Sequence, residues 1–246
     1  MIKQRVMVVT GASRGIGAEI ALCAAREGYF VVVNYNNSES AAMEVCDRIR
    51  AFGGECLAVR ADISNSSAVE EMFSSVFMHT GRVDVLVNNA GISSFSLFTD
   101  ISEQLWDKTF DVNVKGTFLV SKAFIPAMVR EKRGKIINIS SVWGITGASC
   151  EVHYSASKAA IIGMTKALAK ELGPSGITVN CVAPGVVDTE MNKMLSDEDM
   201  KALKEETPLE RIGTAYEIAK TVMFLSSSDA DFITGQVISP NGGFVI

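Results

Sequence analysis

Histidine is almost missing from this 246-residue chain, which carries only His79 and His153. Cysteine is sparse and unpaired in pattern: residues 23, 46, 56, 150 and 181 include no Cys-x-x-Cys. A Cys/His zinc site therefore lacks both ligand number and spacing, and no metal is expected. An odd, scattered set of thiols in apolar surroundings reads as free buried cysteine in a reducing compartment. No apolar run approaches the roughly 18 residues that a membrane helix needs. The opening Met-Ile-Lys-Gln-Arg runs directly into a strand-like stretch without a signal-peptide pattern, so a cytoplasmic protein is expected. Basic excess is missing too: 23 Lys+Arg stand against 28 Asp+Glu, a net charge of −5, which gives nucleic acid no electrostatic footprint.

What the chain does have is a 48% hydrophobic composition, 20 glycines and enough length for a substantial core. Short β-branched runs alternate with helical patterns. Strands are predicted at Arg5–Thr10, Phe30–Asn34, Cys56–Arg60, Val83–Asn88, Lys135–Ser140, Ile177–Val182 and near Gln236–Ser239. Helices are predicted over Gly15 to about Gly28, Ser38–Phe52, Asn65–Thr80, Ser102–Phe110, about Asn113–Arg130, Val152–Leu172 and Ala215–Ser226. Near-continuous apolar strands joined by helices imply an α/β fold, a doubly wound parallel sheet of seven strands with helices on both faces. No linker composition or repeat interrupts the alternation, so residues 1–246 are expected to form one domain.

The turn Thr10-Gly11-Ala12-Ser13-Arg14-Gly15-Ile16-Gly17 lies between the first strand and the first helix. Glycines there let backbone N–H groups approach a pyrophosphate at the positive helix terminus. Tight strand-to-helix turns also favour glycine without any ligand. At the end of the second strand, where an NAD site places an acid on the ribose, stands Asn34-Tyr35-Asn36-Asn37-Ser38, with no acid before Glu39. Arg14 would pair a 2′-phosphate and the Asn/Ser cluster would donate to it, favouring NADPH/NADP+ over NADH; alternatively the cluster is a plain polar turn. Asp62, followed by Ile63, would accept the adenine amine or serve as an ordinary helix-approach acid.

Tyr154 and Lys158 lie four residues apart near the start of the longest predicted helix, on one face. A phenol of pKa about 10 needs a nearby cation to exchange protons readily near neutrality. Ser141, ending the fifth strand, Asn88-Asn89-Ala90-Gly91, ending the fourth, and Pro184-Gly185, after the sixth, open on the same carboxyl-end crevice.

On these motifs, with Asn113, the chain resembles the classical short-chain dehydrogenases/reductases over essentially its whole length. The resemblance implies a Rossmann-type sheet and a homotetramer. It implies Tyr154 as the acid that protonates a carbonyl oxygen as hydride arrives, and Lys158 as the cation that lowers the phenol's pKa and holds the nicotinamide ribose. Ser141 would orient the carbonyl and Asn113 would anchor a proton-relaying water. Gly11, Ser13, Arg14, Gly15, Ile16, Gly17, Asn34, Asp62, Ile63, Asn89, Ala90, Gly91, Tyr154, Lys158, Pro184, Gly185, Val187 and Thr189 would line the cofactor. Asn241-Gly242-Gly243 and Gly185–Met191 are most similar to the 3-oxoacyl-[acyl-carrier-protein] reductase branch, which reduces a 3-oxoacyl thioester with NADPH in fatty-acid synthesis. That branch docks its acidic carrier through basic residues beside the site. Here one such position is Ser175, while Arg130, Lys132, Arg133 and Lys135 keep a second basic patch. Ser141–Gly144 with Gly147–Tyr154 also resembles a subgroup assigned as reductases of a 5-aminopentanone modification on elongation factor P. Glu151 would suit a cationic amine there, or would simply be an acid stabilised at a helix N-terminus. A dinucleotide-binding protein without turnover is the remaining alternative. Substrate choice is expected from a lid around 188–207, with Met191, Met194 and Leu195 facing either an acyl chain or the core.

Overall fold

The computed structural model describes residues 4–190 and 196–246, so Met191, Met194 and Leu195 lie outside the described residues. In chain order the elements are β1 (Val6–Val9), α1 (Gly15–Arg26), β2 (Phe30–Tyr35), α2 (Glu39–Ala51), β3 (Cys56–Arg60), α3 (Ser66–Thr80), β4 (Val85–Asn88), α4 (Glu103–Phe110), α5 (Gly116–Glu131), β5 (Gly134–Ile139), α6 (Trp143–Thr146), α7 (Val152–Leu172), β6 (Ile177–Val182), β7 (Val187–Asp188), α8 (Asp197–Glu206), β8 (Gly213–Thr214), α9 (Ala215–Ser226) and β9 (Val237–Ile238).

Seven strands form one sheet in the order β3-β2-β1-β4-β5-β6-β9, every pair parallel. This is the expected Rossmann-type α/β architecture. The order reverses between β1 and β4, which puts the topological switch point, and hence a ligand crevice, outside their carboxyl ends. The alternation of side chains along β1 assigns the two faces. Met7 and Val9 pack with Ile20, Leu22, Ile49 and Val222 of α1, α2 and α9. Val6 and Val8 pack with Met72, Phe124, Met128 and Leu172 of α3, α5 and α7. Both faces are thus covered, as uninterrupted apolar strands require. A second, two-stranded sheet pairs β7 with β8 and pins the chain as it leaves the crevice.

Between α4 and α5, Asp111–Lys115 forms a single π-helical turn rather than the start of a plain α-helix. The flanking residues stay in the right-handed helical region, so 103–131 is one continuous rod with a wide turn in its middle. Such turns recur at functional sites because they swing one side chain out of α-helical phase.

All five cysteines are free; Cys23, Cys46 and Cys181 are buried, whereas Cys56 and Cys150 are only half-buried. Among the described residues, no helix is long and apolar enough to cross a membrane.

Candidate active site

A cleft of about 1960 Å³ runs along the carboxyl ends of the strands, from the β2–α2 turn to Phe244. That exceeds the volume of a typical small-molecule site, leaving room for a dinucleotide and a second ligand together.

The dinucleotide end is built by backbone held in place by buried side chains. Thr10 Oγ1 accepts from the backbone N–H of Asn89 (3.0 Å) and Ala90 (3.1 Å). Asn89 Nδ2 donates back to Thr10 O (2.9 Å) and Gly11 O (3.1 Å). Gly11 has φ +61, and a Cβ there would stand 2.8 Å from Ala90 Cα. A Cβ on Gly17 would stand 2.4 Å from Asn89 Nδ2. Two of the three glycines are therefore demanded by the β1–β4 contact itself. Gly15 differs: its Cβ would meet nothing closer than Thr189 at 3.6 Å, and it lines the cleft at the start of α1. An open cradle at a helix N-terminus fits a pyrophosphate.

Asn34 borders the cleft, and its amide is committed to backbone. Its side chain is buried, with Oδ1 accepting from Gly11 N (3.2 Å) and Nδ2 donating to Val59 O (3.3 Å), Ala61 O (3.2 Å) and Tyr35 O (3.4 Å). It ties the glycine turn to β3. Asn36, Asn37 and Ser38 of the β2–α2 turn also line the cleft. Arg14 joins them: its guanidinium donates to Ser38 Oγ (3.2 Å) and pairs with Glu190 Oε2 (3.0 Å). Asp62 Oδ1 accepts from Ser64 N (2.9 Å) and Oγ (2.7 Å), and these bonds, with one from Asn36, hold its carboxyl below the usual range. Ile63 packs toward Gly116, where a Cβ would stand 2.6 Å from its Cδ1, and also borders the cleft. Ser13, Ile16, Ala90, Gly91, Pro184, Gly185, Val187 and Thr189 all border the cleft.

At the other end Ser141, Tyr154 and Lys158 are buried together on the cleft wall. Lys158 Nζ donates to Ile139 O (2.9 Å) and lies 5.6 Å from the Tyr154 ring centroid. Burial pushes the ammonium down to about 8. Burial likewise raises the Tyr154 phenol above its ordinary value, opposed by a hydrogen bond with Ser141 and reinforced by the Glu151 carboxylate. The phenol is therefore protonated at neutral pH. The lowering expected from Lys158 is absent from that balance, and burial is the largest cause for both groups. Asn113 sits in the π turn, its Oδ1 accepting from Ile92 N (2.8 Å) and its Nδ2 donating to Ile92 O (2.9 Å) and Ser157 Oγ (2.9 Å). A Cβ on Gly91 would lie 3.2 Å from both Asn113 Oδ1 and Lys158 Nζ, so these groups converge over that glycine.

Some features had no sequence signal. Thr10 appears in the motif but acts through its hydroxyl on β4. Trp143 and Phe244 meet edge-on (centroids 5.5 Å apart) and wall the cleft, with Phe244 brought from far along the chain. Asn88 faces away from the crevice, donating to Ser121 Oγ (3.0 Å) and Asn138 Oδ1 (2.8 Å). The basic patch is also displaced. Arg130, Lys132 and Arg133 follow or end α5 and precede β5, at the amino edge of the sheet opposite the cleft, and Ser175 likewise precedes β6. Lys135 leaves the patch altogether, buried and paired with Asp231 at 2.7 Å. Among the described residues, no group of three or more His, Cys, Asp or Glu is placed to hold a metal ion.

A sheet with this switch point, a glycine cradle and a Ser-Tyr-Lys group beside it define a nucleotide-dependent oxidoreductase of the short-chain type. The comparisons agree: the chain belongs to the short-chain dehydrogenase/reductase family, its residues 11–245 matching the family model described as enoyl-(acyl carrier protein) reductase. It is 46% identical over 236 residues (96% of this chain, 97% of the relative) to 3-oxoacyl-[acyl-carrier-protein] reductase FabG of Staphylococcus epidermidis. It is 43% identical over 243 residues (98% and 97%) to 3-oxoacyl-[acyl-carrier-protein] reductase of Synechocystis. It is also 42% identical over 242 residues (98% and 97%) to the (2S)-[(R)-hydroxy(phenyl)methyl]succinyl-CoA dehydrogenase subunit BbsD of Thauera aromatica. The chain is thus an oxidoreductase of a family whose members use a nicotinamide dinucleotide.

Proposed function

We propose that this protein is an NADPH-dependent 3-oxoacyl-[acyl-carrier-protein] reductase, converting a 3-oxoacyl thioester to the 3-hydroxyacyl thioester. The observation that carries the reading is a buried, protonated Tyr154 sharing the cleft wall with Ser141 and Lys158, at the far end of a dinucleotide-shaped groove. Two hydroxyl donors at one place suit a carbonyl oxygen that becomes an alkoxide, which favours C=O reduction over the C=C reduction named in the family description. The names of the curated relatives support the same class of thioester.

The residues present fit the cofactor. Gly15 and the α1 N-terminus would hold the pyrophosphate, Arg14 with Ser38 the 2′-phosphate, and Lys158 the nicotinamide ribose. Bound there, the reduced nicotinamide supplies a hydride to the carbonyl carbon. Ser141 holds and orients the carbonyl oxygen; Tyr154 gives it the phenolic proton. Lys158, buried and titrating near 8, restores that proton, and Asn113 fixes the Ile92 segment over which the exchange takes place.

Residues 1–246 act as one domain on this reading, with the described parts of 188–207 as the lid: Thr189 lies over Gly15, Glu190 engages Arg14, and Leu203 and Glu206 of α8 border the cleft. Phe98, Phe118, Phe224 and Phe232 are exposed, in keeping with a homotetramer that buries them. The setting is cytoplasmic.

The test is NADPH oxidation with acetoacetyl-CoA and with a 3-oxoacyl carrier-protein thioester, beside Tyr154→Phe. Turnover should fall ~10³-fold in the variant while NADPH still binds. Wild-type-like turnover in the variant removes Tyr154 from the acid role. NADPH binding with no thioester reduction by the wild-type protein moves the substrate to another carbonyl, such as the keto group of a modified protein lysine.

A further inference from the structure

Glu151 stands three residues before Tyr154, where α7 begins, and is only 6% exposed. An acid at such a position ordinarily serves the free N–H groups of the helix, but Glu151 makes no side-chain cap bond. Its Oε1 instead accepts from Ser93 Oγ at 2.5 Å, across the β4–α4 connection. Its second carboxylate oxygen accepts no hydrogen bond among the described residues, and no described lysine or arginine pairs with it. Burial raises its carboxyl above the ordinary range. Its charge acts on Tyr154, and Cys150 and His153 stand beside it in the chain. The ring of His153, kept neutral by burial, is turned to Ser94 Oγ (2.9 Å) rather than to the acid.

That second oxygen is not among the enclosed side-chain atoms that lack a partner, so it opens toward solvent as an uncommitted acceptor. Glu151 borders the cleft on the same wall as Ser141, Trp143 and Tyr154. It can therefore accept an N–H or O–H from whatever occupies that space in place of water. If the proposed function holds, the occupant's chemistry is specific. The names of the relatives include a carrier-protein thioester and a CoA thioester. Those two share one structural element, a pantetheine thiol arm, whose first donor beyond the sulfur is an amide N–H.

We propose that Glu151 accepts a hydrogen bond from that amide N–H, so that the site reads the thiol arm as well as the ketone. Glu151 is then a specificity-determining residue for thioesters over simple ketones. Ser93 is the positioning residue that fixes which oxygen faces the substrate.

The inference rests on the thioester reading, and the test separates the two. Acetoacetyl N-acetylcysteamine carries the N–H; the 2-acetoxyethyl thioester of acetoacetate is its isostere, with ester oxygen in that place. The wild-type protein should prefer the first by ~10-fold or more in kcat/KM, chiefly through KM. Glu151→Leu should reduce the preference to about twofold, and Glu151→Gln, which keeps a carbonyl acceptor, should retain part of it. The wild-type preference should also shrink as pH falls and the carboxylate protonates. Calorimetric binding of the two matching 3-hydroxybutyryl thioesters should give the same ratio without any turnover. An equal preference in wild type and both variants, or none in wild type, overturns the role of Glu151. Absence of thioester reduction overturns the functional reading instead, while the binding ratio still decides for or against Glu151.

Discussion

The two ends of the cleft are held in place by different means. At the dinucleotide end Thr10, Asn34 and Asn89 spend their side-chain bonds on backbone, locking β1, β3 and β4 around the glycine turn. At the substrate end, Ser93–Glu151 and Ser94–His153 are single stitches between a loop and the start of α7. Aromatic walls there come from separate parts of the chain. The first end positions a ligand common to a whole family and is rigid by redundancy. The second accommodates what differs among substrates, and each of its contacts can be changed alone.

The sharpest way to break the contrast is Asn34→Asp. The change keeps the acceptor but turns three donor contacts into carboxylate-to-carbonyl repulsions in a buried place. It should cost about 3 kcal/mol of stability by urea unfolding, not a simple change of cofactor preference. A variant as stable as wild type would show that the glycine turn stands without this clamp.

Lys158 comes next. Its folded-state pKa of about 8 lies below the ordinary 10.5, so between those values the unfolded chain holds the proton that the folded one has released. Stability of the cofactor-free protein should therefore rise as pH climbs from 8 to 10.5, and Lys158→Met should remove that slope while raising stability at pH 7 by about 1–3 kcal/mol. A flat wild-type profile would mean that the ammonium is better solvated than its burial implies.

Arg14→Ala should weaken NADPH binding ~10-fold and leave NADH within about twofold, because its guanidinium answers only the 2′-phosphate. Equal losses for both would place Arg14 on the pyrophosphate. The smallest effect is expected at the loose end: Ser94→Ala should cost under about 1 kcal/mol, since one hydrogen bond to a neutral imidazole is lost. A loss as large as that of Asn34→Asp would erase the distinction between the ends.

Much of the scaffold was readable from pattern. The bounds of α7 and α9 coincide with the apolar periodicity, and α9 carries a capping box, Thr214 with Glu217, that announces its start. The Ser-Tyr-Lys group was legible because helical spacing and strand ends alone bring it together. The amide clamp of Asn34 was not legible: a strand-end position specifies where a residue sits but not which way its amide turns, and here Nδ2 turns to Val59 O and Ala61 O beside it and to Tyr35 O of its own strand. The π turn, the β7–β8 pair and α6 left no trace because each is made by backbone bonds among residues with no periodic signature. Phe244 was invisible for another reason, since its partner Trp143 is a hundred positions away and nothing local joins them.

The wide turn at Asp111–Lys115 makes the rod of α4 and α5 a timing device in sequence space. A π turn is an α turn carrying one surplus residue, and an α-helix advances roughly 100° with each position. Removing any one residue from this turn would let the rod close into regular α-helix with little loss of hydrogen bonds. Everything on one side of the deletion would then be rotated by about a quarter turn against the other. Asn113 would lose Ile92 and Ser157 together, while Phe124 and Met128 kept their place in the core. An alignment would record such a change as a one-residue gap in a helix; for the active site it would be a mis-set gear.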